Sequence, residues 1–420
     1  MTELTRNGRA RVVITGMGAM TPLGESVAEF WDGLVAGRSG VAHMTLADPT
    51  DYPAQISGEV SGFDPERYIE KREARRMARF SQLAVAAAAE AMSDAGLGPD
   101  NIDHDRLGVV LGNGNGGFPE IEENVRVLVE KGGMRMSPFF FPMVLPNMAA
   151  ANVSRRFGAR GPISTVVTAC AASTQSIGDA AEEIRLGRAD AVISGGMEAG
   201  ISQLGLAGFA VMRALSTRND DPPAASRPFD ADRDGFVPAE GAGIVVLESL
   251  EHALRRDAQV LAEVIGYGVS SDAHHQFQPD DDGAGAARAI RWALEDAGIG
   301  PDEVDYVNAH GTSTPLNDSS ETLAIKRAFG DAAYKVPISS TKSMIGHALG
   351  GAGGMEAVAS VQTIRTGIIH PTINYTTPDP ACDLDYVPNE ARKASVRTVL
   401  SNSFGFGGQN ACLLFRRYEE

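Results

Sequence analysis

The chain of 420 residues is 43% apolar and 22% charged, which excludes wholesale disorder and provides enough residues for about two to three domain-sized units. Acidic residues outnumber basic ones by 54 to 37, so the formal net charge is −17 and general nucleic-acid binding is disfavoured. The chain has three cysteines, no Cys-x-x-Cys pair, a polar start at residues 1–11 and no run of about 20 apolar residues. These features predict a cytoplasmic protein without a disulfide framework, a zinc site or a membrane span.

Short β-branched runs alternate with longer helical patterns along the chain. The predicted strands are residues 11–14, 107–111, 164–167 and 191–193 in the first part and 264–265, 304–307, 336–339 and 398–400 in the second. The Ala-rich stretch 79–95 has the spacing of an amphipathic helix. This alternation predicts an α/β architecture with substantially buried sheets.

One internal repeat is visible in the sequence. Residues 91–103 read AMSDAGLGPDNID and residues 293–305 read ALEDAGIGPDEVD, at a constant offset of 202 from Gly96 to Gly298. Each copy has the features of a helix end, a Gly cap, a Pro-Asp turn and the entry into a strand. Gly-Pro-Asp alone is a common loop, but so many matched positions in one register indicate a duplication. We therefore predict two similar halves, 1–255 and 256–420, packed as one body.

The strongest local signal for chemistry surrounds Cys170. A strand-like run leads to Ala169-Cys170-Ala171-Ala172-Ser173, and helical spacing follows it. Cys170 is therefore predicted at a strand-to-helix elbow, where the free N–H groups and the dipole of a helix N-terminus favour a thiolate. A buried, inert cysteine is the alternative from these residues alone. Cys382 and Cys412 have no such setting and are interpreted as structural.

Two histidines follow predicted strands in the second half. His310 ends the run 304–309, and His347 stands after another strand, at the start of a Gly-rich helix. The carboxyl ends of strands are where α/β folds place ligands. Each histidine alone is more typical of a hydrogen-bonded structural residue. Together with Cys170 they form a Cys-His-His set, which favours nucleophilic acyl chemistry.

Two Gly-rich segments need separate interpretation. Residues 401–408, Ser-Asn-Ser-Phe-Gly-Phe-Gly-Gly, separate two strand-like runs and suit either a plain hairpin turn or a mobile wall of an apolar cavity. Residues 112–117 satisfy the dinucleotide pattern G-x-G-x-x-G. The acidic residue that such a site needs about 20 residues later is missing, so nicotinamide binding and a dehydrogenase function are disfavoured.

Six motifs spread over the chain match those of a known enzyme family. They are Thr168-Ala169-Cys170, residues 214–220, 226–237, 310–314, 342–347 and 403–408. On these motifs the sequence, from about Arg11 to Arg416, resembles the β-ketoacyl-acyl carrier protein (ACP) synthases. It is most similar to the synthase II group, which elongates chains in dissociated fatty-acid synthesis. The resemblance implies the thiolase fold, with duplicated α/β halves in a five-layer αβαβα arrangement, usually as a homodimer.

The resemblance implies a Claisen condensation centred on Cys170. Cys170 would take the acyl chain from acyl-ACP as a thioester, with the backbone N–H groups of Cys170 and Phe406 holding the oxyanion. His310 and His347 would hydrogen-bond the thioester oxygen of malonyl-ACP as it loses CO2 and becomes an enolate. The carbanion would then attack the acyl-Cys170 carbonyl and yield β-ketoacyl-ACP.

Other motif positions of the family imply supporting roles. Lys342 would support His310, and Thr312 and Thr314 would bind the pantetheine arm. The other implied positions are Glu356 and Asp318 around the catalytic residues, Phe404, Gly405 and Phe406 in a gating loop, and Asn115 in the acyl pocket. Asn115 replaces a usually apolar residue and Phe277 a small hydroxyl residue near the pantetheine entrance, so the length and polarity of the acyl chain stay open.

The implied partner is an acidic ACP, which brings its own 4′-phosphopantetheine. Arg72, Arg75 and Arg76 have the spacing of one helical face, and with Arg213 they match the family's ACP contacts. A solvated basic helix face is the alternative. We expect no resident cofactor and no catalytic metal, with room for a structural monovalent cation. The residues implied for that cation are Asn308, Glu356, Ser401 and Asn402.

Alternatives within and outside this enzyme class stay open. Ketosynthase subunits of type II polyketide synthases share the Cys-His-His set and often pair with a chain-length partner, so a heterodimer is an alternative to the homodimer. A non-catalytic partner subunit is disfavoured because Cys170, His310, Lys342 and His347 are all present. The sequence predicts neither nucleic-acid nor membrane binding.

Overall fold

The computed structural model describes residues 3–98 and 100–419; residues 1 and 2 of the predicted polar start and Pro99 of the repeat lie outside this description. The strands are β1 Thr5–Arg6, β2 Arg9–Ala10, β3 Val12–Met20, β4 Val41–His43, β5 Ile56–Gly58, β6 Leu107–Gly112, β7 Ile163–Val166, β8 Ala191–Glu198, β9 Gly241–Ser249, β10 Ala262–Ser271, β11 Tyr306–Asn308, β12 Ile338–Ser339, β13 Ile368–Ile369, β14 Arg392–Lys393, β15 Thr398–Gly405 and β16 Gln409–Arg416. The helices are α1 Val27–Val35, α2 Lys71–Ala74, α3 Arg79–Asp94, α4 Phe118–Lys131, α5 Phe140–Val144, α6 Met148–Phe157, α7 Ala172–Arg185, α8 Gln203–Val211, α9 Leu250–Arg255, α10 Ala284–Ala297, α11 Pro315–Phe329, α12 Lys342–Ile345 and α13 Ala352–Thr366.

Ten strands form one sheet with an internal repeat. Their order is β12-β11-β15-β16-β10-β3-β9-β8-β6-β7. The two central strands, β10 and β3, are joined by a short antiparallel ladder from Ala262↔Ile14 to Val264↔Val12. Outward from this junction, each half has two antiparallel pairings followed by two parallel ones. The duplication indicated by the sequence repeat is thus present in the sheet.

The helices arrange the two sheet halves into layers. Helices α7 and α13 pack against each other and against strands of both halves, so they form the middle layer. Helix α3 covers the outer face of the first half, and α10, which contacts α11, covers the outer face of the second. The order helix–sheet–helix–sheet–helix is the five-layer thiolase fold, as predicted.

Glycines let the middle layer pack tightly. A Cβ atom on Gly354 of α13 would run into the carbonyl oxygen of Gly243 in β9, and one on Gly353 would run into the side chain of Thr174 in α7. The Gly-rich helix therefore allows the close backbone approach that its sequence predicts. This contact lays a helix of the second half directly on the sheet of the first half.

Sequence patterns located most of the elements and missed one long strand. Every predicted strand overlaps an observed one, and the predicted helix 79–95 is α3 with Ala95 as its cap. Strand β9 was not predicted, although it contains the β-branched run Ile244-Val245-Val246; β3, β6 and β8 are buried throughout as well and were found from such runs. The boundary between residues 255 and 256 stays a prediction. Within the described residues, no helix is long and apolar enough to cross a membrane.

Candidate active site

The structure places Cys170 at the predicted elbow. It lies in a short 3₁₀ turn between β7 and α7, and the preceding Ala169 has a left-handed backbone with φ of +50°. Gly405 packs onto this turn, since a Cβ there would lie 3.1 Å from the amide nitrogen of Cys170. Only 5% of Cys170 is exposed. The thiol is therefore buried at the start of a helix of the middle layer.

The two predicted histidines lie beside this thiol. Nε2 of His347 is 3.1 Å from Sγ of Cys170, a distance at which the S–H can donate to the ring nitrogen. The rings of His310 and His347 are 5.4 Å apart between centroids and nearly perpendicular. Sγ and one ring nitrogen of each histidine all lie within 4.8 Å of one another. The fold thus brings together three residues that are far apart in the sequence.

Lys342 orients His310. Its Nζ donates to the carbonyl oxygen of His310 at 2.7 Å and lies 3.3 Å from Nδ1 of the same residue. The ammonium also forms a fully buried ion pair with Glu356. Because an ammonium group only donates, Nδ1 of His310 must accept, and we assign the ring proton to Nε2.

Burial decides the protonation states of the site. It raises the pKa of the Cys170 thiol to about 12, although the charge of Lys342 and the backbone N–H groups of Phe406 and Cys170 lower this pKa. Burial, followed by the charge of Lys342, holds the pKa of both His310 and His347 well below the ordinary value. Burial therefore opposes the thiolate that the helix N-terminus favours, because loss of water disfavours the charged form. The same loss of water favours the neutral form of both imidazoles.

A cavity of about 350 Å³ opens over the catalytic residues. Cys170, His310 and His347 lie in its wall. The predicted site residues that also line it are Thr312, Thr314, Phe404, Gly405, Phe406, Arg213 and Phe277. The hydroxyl groups of Thr312 and Thr314 are 2.9 Å apart, so the entrance offers a paired polar contact to a substrate arm.

The segment 401–408 is a hairpin turn and also a wall of the cavity, whereas its mobility stays a prediction. Strands β15 and β16 form a hairpin, and its turn contains Gly407 and Gly408 with φ of +82° and +71°. Phe406, in the same turn, is 36% exposed and lies on the cavity wall. Its ring centroid is 6.4 Å from that of Phe209. The hairpin turn is therefore also an aromatic wall of the cavity.

Asn115 lies away from this main cavity. Its side-chain Nδ2 is buried without a hydrogen-bond partner and would be 2.9 Å from a Cβ on Gly200. Gly200 lines a separate small cavity of about 20 Å³, which also contacts His347 and Phe209. The assignment of Asn115 to an acyl pocket stays a prediction.

Buried carboxylates surround the site. Asp318 accepts from the amide of Phe229 at 2.8 Å and lies 3.5 Å from Arg233, without lining the main cavity. Sequence reasoning assigned no role to Glu321, which accepts the amides of His310 and Gly311 at 2.8 and 2.7 Å. A sequence signal for Glu321 exists, because it lies one helical turn after Asp318.

Three of the residues expected to hold a cation have a buried oxygen atom without a hydrogen-bond partner among residues 3–98 and 100–419. They are Oδ1 of Asn308, Oγ of Ser401 and Oε2 of Glu356. Asn308 and Ser401 are opposite each other in the β11–β15 ladder. An all-oxygen donor set fits a hard cation. The Asn402 side chain instead contacts Glu321 and Cys412.

The basic residues predicted for ACP docking are exposed. Helix α2 has only four residues, so Arg72 lies in it, Arg75 caps it and Arg76 follows it. The expected single helical face is therefore wrong, because the helix ends before the third arginine. Arg76 stacks over the ring of Phe139 at 4.7 Å, and Arg213 lies at the cavity with φ of +53°.

The fold and this site define the class of protein, namely a thiolase-fold enzyme with a buried cysteine and two histidines at one cavity. Family models give the particular family: the β-ketoacyl synthase N-terminal domain matches residues 9–253 and the C-terminal domain matches residues 261–376. The chain therefore belongs to the β-ketoacyl synthase family.

Named relatives and solved structures are similar over nearly the whole chain. The 3-oxoacyl-[acyl-carrier-protein] synthase 2 of Synechocystis sp. is 50% identical over 98% of this chain and 99% of its own length. The protein of the same name from Coxiella burnetii is 49% identical over 97% and 99%.

Among solved structures, the ishigamide ketosynthase/chain length factor has a TM-score of 0.92 at 39% identity, covering 98% of this chain and 100% of that chain. A type II polyketide synthase acyl-carrier protein in complex with its ketosynthase bound to the hexaketide has a TM-score of 0.89 at 38% identity, with the same coverage.

Proposed function

We propose that this chain condenses acyl-ACP with malonyl-ACP, with loss of CO2, to give β-ketoacyl-ACP in fatty-acid elongation. The observation that carries the proposal is the 3.1 Å contact between Cys170 Sγ and His347 Nε2, with His310 beside it at the cavity. About half of the residues are shared with named 3-oxoacyl-ACP synthases 2, against 38–39% with the polyketide ketosynthases, which favours fatty-acid elongation over the polyketide alternative.

The first step transfers the acyl chain to Cys170. As Sγ attacks the thioester carbonyl, Nε2 of His347 takes the thiol proton, which it then returns to the departing pantetheine sulfur. The backbone N–H groups of Cys170 and Phe406 both act on the sulfur and are placed to hold the oxyanion that forms next to it. The thiolate therefore exists only while the reaction needs it.

The second step generates the carbon nucleophile. The malonyl C–C bond breaks, CO2 leaves, and the electron pair enters the thioester as an enolate. Nε2–H of His310, fixed by Lys342 on Nδ1, donates to the enolate oxygen. Once the sulfur is acylated and its proton has left with the pantetheine thiol, exchange through water moves the single ring proton of His347 from Nδ1 to Nε2, and Nε2–H then supplies a second donor.

The third step forms the new carbon–carbon bond. The enolate carbon attacks the acyl-Cys170 carbonyl, the C–S bond breaks, and β-ketoacyl-ACP leaves. One proton from solvent, delivered through His347, restores the thiol.

We include in the proposal a monovalent cation held by Asn308, Ser401 and Glu356, which would balance the carboxylate oxygen that Lys342 does not contact.

Docking of the carrier protein is part of the proposal. Arg72, Arg75, Arg76 and Arg213 are exposed on a chain with a net charge of −17, so they supply the local positive charge that an acidic carrier protein needs. Phe277 lies at the cavity, where the pantetheine arm would pass Thr312 and Thr314.

Three free cysteines agree with the cytoplasmic location predicted from the sequence.

We further propose a dimer of two identical chains. In the described part of the chain, β7 is the last strand of the sheet and pairs only with β6. Ile163, the first residue of β7, and Val167, which follows its last residue, are 52% and 53% exposed, an apolar edge that a second copy would cover. The heterodimer with a chain-length subunit is the alternative for this same edge.

Intact mass spectrometry tests the function. Purified protein receives acyl-ACP and then malonyl-ACP, with Cys170→Ala in parallel. We expect an acyl mass on the wild type alone, followed by an ACP-bound chain two carbons longer. No acylation with any chain length would contradict the nucleophile, and acylation without elongation would favour the heterodimer.

A further inference from the structure

Glu198 is a buried carboxylate to which neither the sequence patterns nor the mechanism above gives a role. It is the last residue of β8, at the same sheet edge as the catalytic elbow, and it is completely buried. In the described part of the chain it is recorded in no ion pair, and burial raises its pKa to about 7. By contrast, Glu240 and Glu356 are paired with Arg79 and Lys342. A buried acid without a cation is costly, so this one needs an explanation.

Its oxygens connect two segments next to the catalytic residues. Oε2 accepts the amide of Gly114 at 3.0 Å and that of Gly350 at 3.2 Å, and the amide of Asn115 lies 3.3 Å from both oxygens. Gly350 comes three residues after His347. The Glu198 carboxylate therefore fixes the segment that follows the catalytic histidine.

Gly350 is also hydrogen-bonded to α7, the helix that follows Cys170. Its carbonyl oxygen accepts from the hydroxyl of Ser173, three residues after Cys170. Glu198, Gly350 and Ser173 thus form a continuous hydrogen-bonded chain from β8, through the His347 segment, to the first turn of α7. Glu198 also acts through its charge, since it raises the pKa of the Cys170 thiol.

We propose that Glu198 is a positioning residue for the condensation, which holds His347 against Cys170 through Gly350. The proposal rests on the proposed function for its kinetic consequence only. The charged and titratable groups that act on Cys170 are Lys342 and Glu198, with His347 and His310 in its immediate surroundings.

Two variants separate the geometric from the electrostatic effect. Glu198→Gln removes the charge and turns an N–H donor toward the amides; Glu198→Asp keeps the charge but shortens the reach. We expect both variants to lower kcat for elongation by about 100-fold, with a smaller change in KM for acyl-ACP, because catalytic groups are misplaced by a fraction of an ångström or more. Only Glu198→Gln should shift the pH profile of Cys170 alkylation by iodoacetamide to lower pH. At a fixed pH we expect its alkylation rate to rise by about threefold.

The control is Glu90→Gln, which changes a similar carboxylate that accepts the amides of Ala19 and Val27 away from the main cavity. Melting temperatures establish that each variant is folded, and peptide mass analysis separates Cys170 from the other cysteines. Wild-type kcat and an unshifted alkylation profile in Glu198→Gln would overturn the proposal, as would equal losses in Glu90→Gln. If the wild type itself fails to elongate, the proposed function fails, whereas the alkylation profiles still test Glu198.

Discussion

The two halves of the sheet share a topology but contribute different chemistry. In the first half, β7 leads to Cys170, the proposed nucleophile, and β6 leads to the Gly-rich turn at residues 113–117. In the second half, the matching strands β12 and β11 lead to Lys342 and His310. The repeated topology brings all these strand ends to one edge. Which half supplies the nucleophile and which supplies the proton donors is decided by side chains alone.

The halves also differ in how their last two strands are connected. Strands β15 and β16 are joined by the short turn that contains Phe406, whereas residues 199–240 lie between β8 and β9. That long connection brings Phe209 within 6.4 Å of Phe406 and places Arg213 and Phe236 on the cavity wall. One cavity is thus enclosed by equivalent connections of unequal length, which teaches that the duplicated core is constant and the connections carry the specificity.

The largest effect is expected from removing the Cys170 thiol, the single group that the first half contributes to bond formation. We expect Cys170→Ala to lower elongation by about 1,000-fold or more, because among the described residues no other thiol lines the cavity. Intact mass should show no acyl-enzyme. The matched control Cys382→Ala should acylate normally, and an acyl mass on Cys170→Ala would contradict the assignment.

Breaking the charge pair in the second half should cost both stability and activity. We expect Lys342→Met to lower the free energy of unfolding by about 3–5 kcal/mol, because Glu356 is left as an unpaired buried carboxylate. Urea denaturation measures this loss. In the double variant Lys342→Met/Glu356→Gln most of the stability should return, without recovery of elongation, because nothing then fixes the His310 proton on Nε2. Equal stabilities of the single and double variants would contradict this reasoning.

The contact between the halves can be tested in the middle layer. We expect Gly354→Ala to lower the free energy of unfolding by about 2 kcal/mol, because its Cβ would overlap the backbone of Gly243. Gly208→Ala, in α8, meets no atom within 4 Å and should be neutral or slightly stabilising. Thermal and urea unfolding compare the two, and equal effects would contradict the close approach.

The pH dependence of the free energy of unfolding tests one buried histidine of the second half, His370. Burial lowers the pKa of His370 to about 4, so between pH 6.5 and 4 the unfolded chain binds more protons at this residue than the folded one. Its contribution to the free energy of unfolding is complete above pH 6.5 and decreases by up to about 1.4 kcal/mol per pH unit below it. The stability difference between the wild type and His370→Gln should shrink accordingly on acidification. A pH-independent difference would show that His370 titrates normally.

The smallest effect is expected at the docking surface of the first half. Arg72→Glu/Arg75→Glu should lower kcat/KM for acyl-ACP by about tenfold at low salt, and the difference should narrow as salt screens the charges. Acylation by a small pantetheine thioester should not change. Arg188→Glu, which reverses an exposed charge elsewhere, is the control, and an equal loss there would indicate a general charge effect.

Much of the fold was predictable because the signals are local. Short β-branched runs located the strands around the site, and the repeat at Gly96 and Gly298 predicted the duplicated halves; both glycines have positive φ at helix ends. The elbow at Cys170 and the strand ends before His310 and Lys342 follow from residue order. Strand β9 was missed although it contains a β-branched run, and the end of helix α2 was missed because a three-residue spacing does not show where a helix stops.

The sequence by itself determined the α/β class, the family resemblance and which residue types carry the chemistry, because motif order and periodicity are properties of neighbouring residues. Only the tertiary structure decided that burial opposes a thiolate at Cys170, that His347 and not His310 contacts it, and that Glu198 and Glu321 hold the surrounding backbone. The reason is physical: pKa values and contacts depend on which groups exclude water from one another. Those groups come from both halves of the chain, and no local pattern of residues records them.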